Sequence, residues 1–105
     1  MPLEPVPWQP TLSLLFARYQ ELIRQAGPQL AESVGAELAS RTIGLCVYAQ
    51  THLHEIQEDK ANRWLGFVQG VVISAGLATI DGERDFTRPL FHKLKGFSPS
   101  HEAIV

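Results

Sequence analysis

Residues 62–76, Asn-Arg-Trp-Leu-Gly-Phe-Val-Gln-Gly-Val-Val-Ile-Ser-Ala-Gly, constrain the fold of this chain more than any other stretch. At 3.6 residues per turn they divide into three stripes. Trp64, Phe67, Val68, Val71 and Ala75 form an aromatic and aliphatic stripe, expected to face the core. Asn62, Gly66, Gly70 and Ser74 follow at steps of four, and small side chains at that spacing let another backbone come close. Leu65, Gln69, Val72 and Ile73 make the third, in which the Gln69 amide must find partners once it is buried. A helix with contact surface on every side, in a chain of 105 residues, predicts a second copy packed against it as well as an internal core.

The rest of the chain is read against that helix. Leu12, Leu15, Phe16, Tyr19, Leu22 and Ile23 recur at helical spacing and predict an amphipathic first helix. Gly27-Pro28 ends it and opens the next, since glycine suits the residue after a helix and proline its first turn. A second helix is expected over residues 29–56, apolar around much of its middle, with Gly35 and Gly44 able to bend it. The polar run Gln57-Glu58-Asp59-Lys60 holds no breaker. A helix continuing through it to Gly76 would nevertheless be ~70 Å long, too long for a compact chain. The third helix then covers about residues 59–75, and Gly76 stops it. Thr79 or Asp81 can cap a short segment over residues 80–87. Pro89 kinks or restarts the chain, and Leu90, Phe91 and Leu94 offer one further apolar face. Pro2, Pro5, Pro7 and Pro10 make residues 1–10 an extended arm that Trp8 can dock, and residues 97–105 read as a loose tail. No alternating strand pattern occurs. The expectation is one all-α domain over residues 1–105: a compact bundle of three main helices plus one or two short C-terminal ones.

Lys and Arg total 9 against 11 Asp and Glu, a formal charge of −2. That balance argues against a nucleic-acid binder and against a helix held to anionic lipid. Cys46 is the sole cysteine, set in an apolar run, which fits a reduced protein of the cytoplasm. The longest apolar run, residues 64–78, is shorter than the ~20 residues a spanning helix needs. A soluble cytoplasmic protein with no membrane contact is expected.

Three groups of side chains could carry chemistry or contact. His52, His54, Glu55, Glu58 and Asp59 crowd the junction of the second and third helices, and Glu83 or Asp85 could complete a set. Yet the spacing matches no metal signature, and Cys46 and His52 lie nearly two turns apart on one helix, poorly placed as nucleophile and base. No catalytic residue, metal or cofactor is therefore assigned. Arg84 and Arg88, four apart beside Thr87, could form a fork for a phosphate or carboxylate. Intrahelical pairing of Asp81 or Glu83 with Arg84, and of Asp85 with Arg88, is the plainer alternative. Asn62, Arg63 and Gln69 could project into a pocket or interface. The candidate contact residues are thus Asn62, Arg63, Gln69, Arg84, Thr87 and Arg88, with Gly66, Gly70 and Ser74 for packing or oligomer contact.

The run Asn62-Arg63-Trp64-Leu65-Gly66-Phe67-Val68-Gln69-Gly70, followed by Gly76, Thr79-Ile80-Asp81-Gly82-Glu83-Arg84 and Arg88, resembles a motif of small proteins from tailed phages and prophages. Those carry a segment close to Arg-Trp-Leu-Gly-Phe-Val-Gln-Gly and then a Thr-Ile-Asp stretch with arginines. The resemblance covers about residues 55–92. It implies a small accessory protein in a bacterial host, acting by binding and inhibiting a host or defence factor. A first alternative is a binder that sequesters a small phosphorylated ligand such as a nucleotide, through Arg63, Gln69, Arg84 and Arg88. A second is a metal-dependent helical nucleotide hydrolase using His52, Glu55, Glu58, Asp59 and Glu83.

Overall fold

The computed structural model describes residues 8–92, in which all regular structure is helical. In chain order it comprises α1 (Trp8–Ala26), α2 (Gln29–Val34), α3 (Ala36–His52), a 3-10 turn (Leu53–Glu55), α4 (Glu58–Ser74) and α5 (Ile80–His92). The described residues are all-α, with five α-helices where three main ones plus one or two short C-terminal ones were expected. No helix among the described residues is long and apolar enough to cross a membrane.

α1 lies at the centre and packs against both α3 and α4. Its predicted stripe is the one that is buried: Leu12, Leu15, Phe16, Tyr19 and Ile23 are inside and Leu22 is half-buried. The helix begins earlier than expected. Trp8, Gln9 and Pro10 form its first turn, where the N–H that proline lacks would have had no helical partner, and Trp8 packs against the core. Of the expected arm, residues 1–7 lie outside the described residues, as does the expected tail over residues 97–105.

The single helix expected over residues 29–56 is divided at Gly35. Its φ of 95° and ψ of 152° put it in a region open essentially to glycine alone. The Gly35 N–H closes α2 on the Ala31 carbonyl at 2.8 Å, while its own carbonyl accepts from Ala39 and opens α3 at 3.0 Å. α3 turns inward the small side chains Ala39, Thr42, Cys46 and Ala49, which allows α1 to approach it closely.

On α4 the buried face is Ala61, Leu65, Val68 and Val72, at i, i+4, i+7 and i+11, with Asn62, Gln69, Val71 and Ala75 also inside. The expectation that Trp64 and Phe67 sit in the core is therefore corrected. Trp64 is only half-buried and Phe67 is 46% exposed. Ala61 and Leu65 set the direction of burial, and the two aromatics lie to one side of that line. α4 stops at Gly76, where φ is 79°: the Gly76 N–H returns to Ile73 and the Leu77 N–H to Val72, each at 3.0 Å, a Schellman ending. Gln29 of α2 donates to the Ala75 carbonyl at 3.1 Å, tying the start of α2 to the end of α4.

Thr79 caps α5, its hydroxyl oxygen accepting from the Gly82 N–H at 3.0 Å. Pro89 does not restart the chain. α5 runs through it to His92, and because Asp85 and Pro89 are both exposed, the carbonyl left without a helical donor faces water.

Candidate functional site

Tyr19 at the middle of α1, Gln69 on α4 and Glu83 in the first turn of α5 meet in the interior. The Tyr19 hydroxyl donates to Glu83 Oε1 at 2.5 Å and accepts from Gln69 Nε2 at 3.0 Å. Arg18 Nη2 donates to Glu83 Oε2 at 2.8 Å, and the Arg18 guanidinium lies 4.0 Å above the centre of the Phe86 ring. The Thr87 hydroxyl donates to the Glu83 carbonyl at 2.8 Å. Tyr19, Gln69 and Thr87 are fully buried and Glu83 is 2% exposed. A carboxylate so deep must be neutralised and hydrogen-bonded to be tolerated. Arg18 supplies the charge and Tyr19 the second donor. Burial, reinforced by the hydrogen bond to Glu83, pushes the Tyr19 hydroxyl well above its ordinary pKa. The hydrogen bond to Glu83 likewise raises the Arg18 guanidinium.

The polarity of this node is fixed by counting protons. Tyr19 has one hydroxyl hydrogen, and the carboxylate takes it, so Gln69 must offer Nε2 to the Tyr19 oxygen. Gln69 Oε1 is then left buried with no hydrogen-bond partner among the described residues, as are Arg18 Nε and Asn62 Nδ2. The node joins three helices through the Tyr19–Glu83, Arg18–Glu83 and Gln69–Tyr19 bonds. Nothing in it is poised as a nucleophile or base.

A second constellation lies on the outer side of α3 and α4. Lys60, Trp64, Phe67 and Val71 follow at i, i+4, i+7 and i+11 on α4. The Trp64 ring meets Tyr48 of α3 edge-on, with centroids 5.9 Å apart, and Lys60 Nζ sits 5.4 Å over Trp64. Tyr48 stacks on His52 at 4.0 Å, their planes 9° apart. Tyr48 is 48% exposed and Phe67 46%. Large amphipathic rings held side by side at a surface, with a cation at the rim, have the composition of a protein-contact patch. Sequence reasoning missed this aromatic seam. It placed Trp64 and Phe67 inside and did not single out Tyr48, although Tyr48 falls outside the buried stripe of α3.

The residues expected to bind are dispersed. Asn62, Gln69 and Thr87 are buried, Arg84 is half-buried, and Arg63 and Arg88 are exposed. Arg63 pairs with Asp59 at 3.3 Å and Arg84 with Asp81 at 3.8 Å, each within its own helix. Glu83, expected either as a metal ligand or as a partner of Arg84, is committed to α1 instead. His52 is taken up by Tyr48, and His54 pairs with Glu55 at 3.2 Å. Among the described residues no three His, Cys, Asp or Glu side chains are grouped to hold a metal. Gly66 and Gly70 are half-buried, and no described atom comes within 4 Å of where a Cβ would stand on either, while Ser74 is exposed. The small-residue stripe is thus not used for close packing among the described helices. Two surface hollows, one at the α2–α3 junction beside Arg41 and one between α1 and α3 beside Ile43, contain none of these candidates.

Comparisons with known proteins find no matching family, no matching curated protein and no matching solved structure.

Proposed function

We propose that this chain acts by stoichiometric protein contact through the Tyr48–Trp64–Phe67 seam. The partner would offer a helix whose apolar side chains lie on the rings and whose acidic side chains meet Lys60. The observation that carries this reading is the placement of Tyr48 and Phe67, each nearly half exposed, beside half-buried Trp64 on the outer side of α3 and α4. The sequence resemblance over residues 55–92 suits a phage-type accessory protein, and the partner is then a host or defence factor that it inhibits in the bacterial cytoplasm. The test is capture from bacterial lysate with the wild-type chain and with the Tyr48→Ala, Phe67→Ala double variant. A protein retained by the first and lost by the second supports the proposal. Equal capture by both removes the seam from the argument.

The nucleotide-sequestering alternative has less support, because Gln69 is engaged inside and Arg63 and Arg84 are paired within their helices. The hydrolase alternative would need Glu83 beside His52 and Asp59, and Glu83 is held by Tyr19 and Arg18. Homo-oligomerisation rests on a different surface, the Gly66, Gly70 and Ser74 stripe, and is read independently by light scattering.

A further inference from the structure

Three properties of α5 bear on how it is held. Its backbone makes few close approaches to the bundle, so side chains carry its attachment. Its fully buried stripe is polar: Glu83 and Thr87 are the innermost residues, while the apolar Leu90 and Phe91 pack against the core but are only half-buried. The turn before it, Gly76-Leu77-Ala78, includes a glycine at φ 79°. A polar attachment differs from an apolar one in what happens when it separates. Water replaces the lost hydrogen bonds, so the net cost of parting is a small fraction of the bond strength.

Closure also carries a penalty of its own. With α5 in place, Gln69 Oε1 and Arg18 Nε are buried with no hydrogen-bond partner among the described residues, and both belong to the node that α5 completes. Each loses hydration without gaining a bond. The charge pair of Glu83 with Arg18 and the Tyr19 hydrogen bond favour the closed state, and the two stranded atoms oppose it. Balanced terms of this kind give a segment that opens below the free energy of global unfolding.

We infer that α5 is a latch. It swings away from α1 and α4 as a unit about the Gly76-Leu77-Ala78 turn, with Glu83 as the catch, while α1–α4 remain folded. Opening uncovers Tyr19 and Gln69. The seam lies on α3 and on the far side of α4, so the latch and the proposed protein contact are separable.

Native-state hydrogen exchange on the full chain, followed at low urea, tests this. Amides of residues 84–92 are expected to share one opening reaction, faster than that of the amides in the middle of α1 and α4. Glu83→Gln should raise the α5 rate by about tenfold to a hundredfold, the range for a charged hydrogen bond, and α1 and α4 by no more than the same factor, since global unfolding breaks the same contact. Thr87→Val keeps the node and makes the buried stripe more apolar, so it should slow the same amides. Exchange of α5 in step with α1 and α4 in the wild-type chain would overturn the inference, as would acceleration of α1 and α4 by Glu83→Gln with the α5 rate unchanged. If Glu83→Gln does not fold, the wild-type profile and the sign of the Thr87→Val effect still decide.

Discussion

Tyr19 and Glu83, separated by 64 positions in sequence, share a hydrogen bond of 2.5 Å in the interior. Through it α1, the central helix, holds the last described helix. Because Arg18 binds the other carboxylate oxygen, two adjacent residues of α1 share one acid. Removing the Tyr19 hydroxyl leaves Glu83 buried with one donor fewer and Gln69 Nε2 with none. Tyr19→Phe is expected to cost about 2–3 kcal/mol, the cost of a hydrogen bond to a charged group plus a stranded donor. Urea denaturation of the two proteins measures it.

The chain should lose stability in alkali before most surface groups titrate. Burial raises the Cys46 thiol from 9.0 to about 12 and lifts Tyr19 above its ordinary 10.0. Both groups are held neutral by folding, so their contribution is complete below pH 9. It then declines as the unfolded thiol ionises, and more steeply above pH 10 as the unfolded phenol does. Unfolding midpoints in urea measured from neutral pH to pH 11 should show this fall, and Cys46→Ala should flatten its first part.

Gly35 and Gly44 should respond to alanine in opposite directions. Gly35, at φ 95°, joins α2 to α3 in a conformation that a Cβ opposes, so Gly35→Ala should cost about 1–3 kcal/mol. Gly44 lies inside α3 with no described atom within 4 Å of a new Cβ, so Gly44→Ala should gain about 0.5–1 kcal/mol from helix propensity. Thermal melts of both variants give the two signs directly.

At the seam, binding and stability should separate. Tyr48 and Phe67 are each about half exposed, so the double alanine variant should lose only about 1 kcal/mol of stability. Loss of two central aromatic anchors should weaken partner binding by about thirtyfold or more. Calorimetry on the captured partner reads the second effect, and circular dichroism melts the first.

Gly66→Ala and Gly70→Ala together discriminate a second copy from an idle surface. Within one chain the space is open among the described residues, so the pair should stabilise α4 by about 1–2 kcal/mol. If a second copy lies on that stripe, the added methyl groups should shift light scattering toward the monomer. The expected outcome is a more stable fold with weaker self-association.

Local chemistry made several boundaries legible. The α1 stripe, the Gly27-Pro28 break, the Gly76 stop and a cap at Thr79 depend on residues a few positions apart, so periodicity and turn preference suffice to read them. Gly35 was recognisable only as a weak point. Whether a glycine bends a helix or divides it depends on where the following helix must lie to cover the core, and that is decided by α1 against Ala39, Thr42, Cys46 and Ala49. Trp64 and Phe67 were misplaced because size and apolarity do not say which way a helix is rotated. That rotation was set by Ala61, Leu65, Val68 and Val72 meeting the bundle.

The sequence by itself determined that this chain is all-α, where most of its helices start and stop, and that Gln69 is a buried polar group needing a partner. Tertiary structure alone decided who that partner is. Tyr19, Glu83 and Arg18 come from distant positions, and no periodicity links them; they meet because burying Glu83 is affordable only where a cation and a hydroxyl converge. The same packing that drew Glu83 inward left Tyr48 and Phe67 at the surface, beside half-buried Trp64.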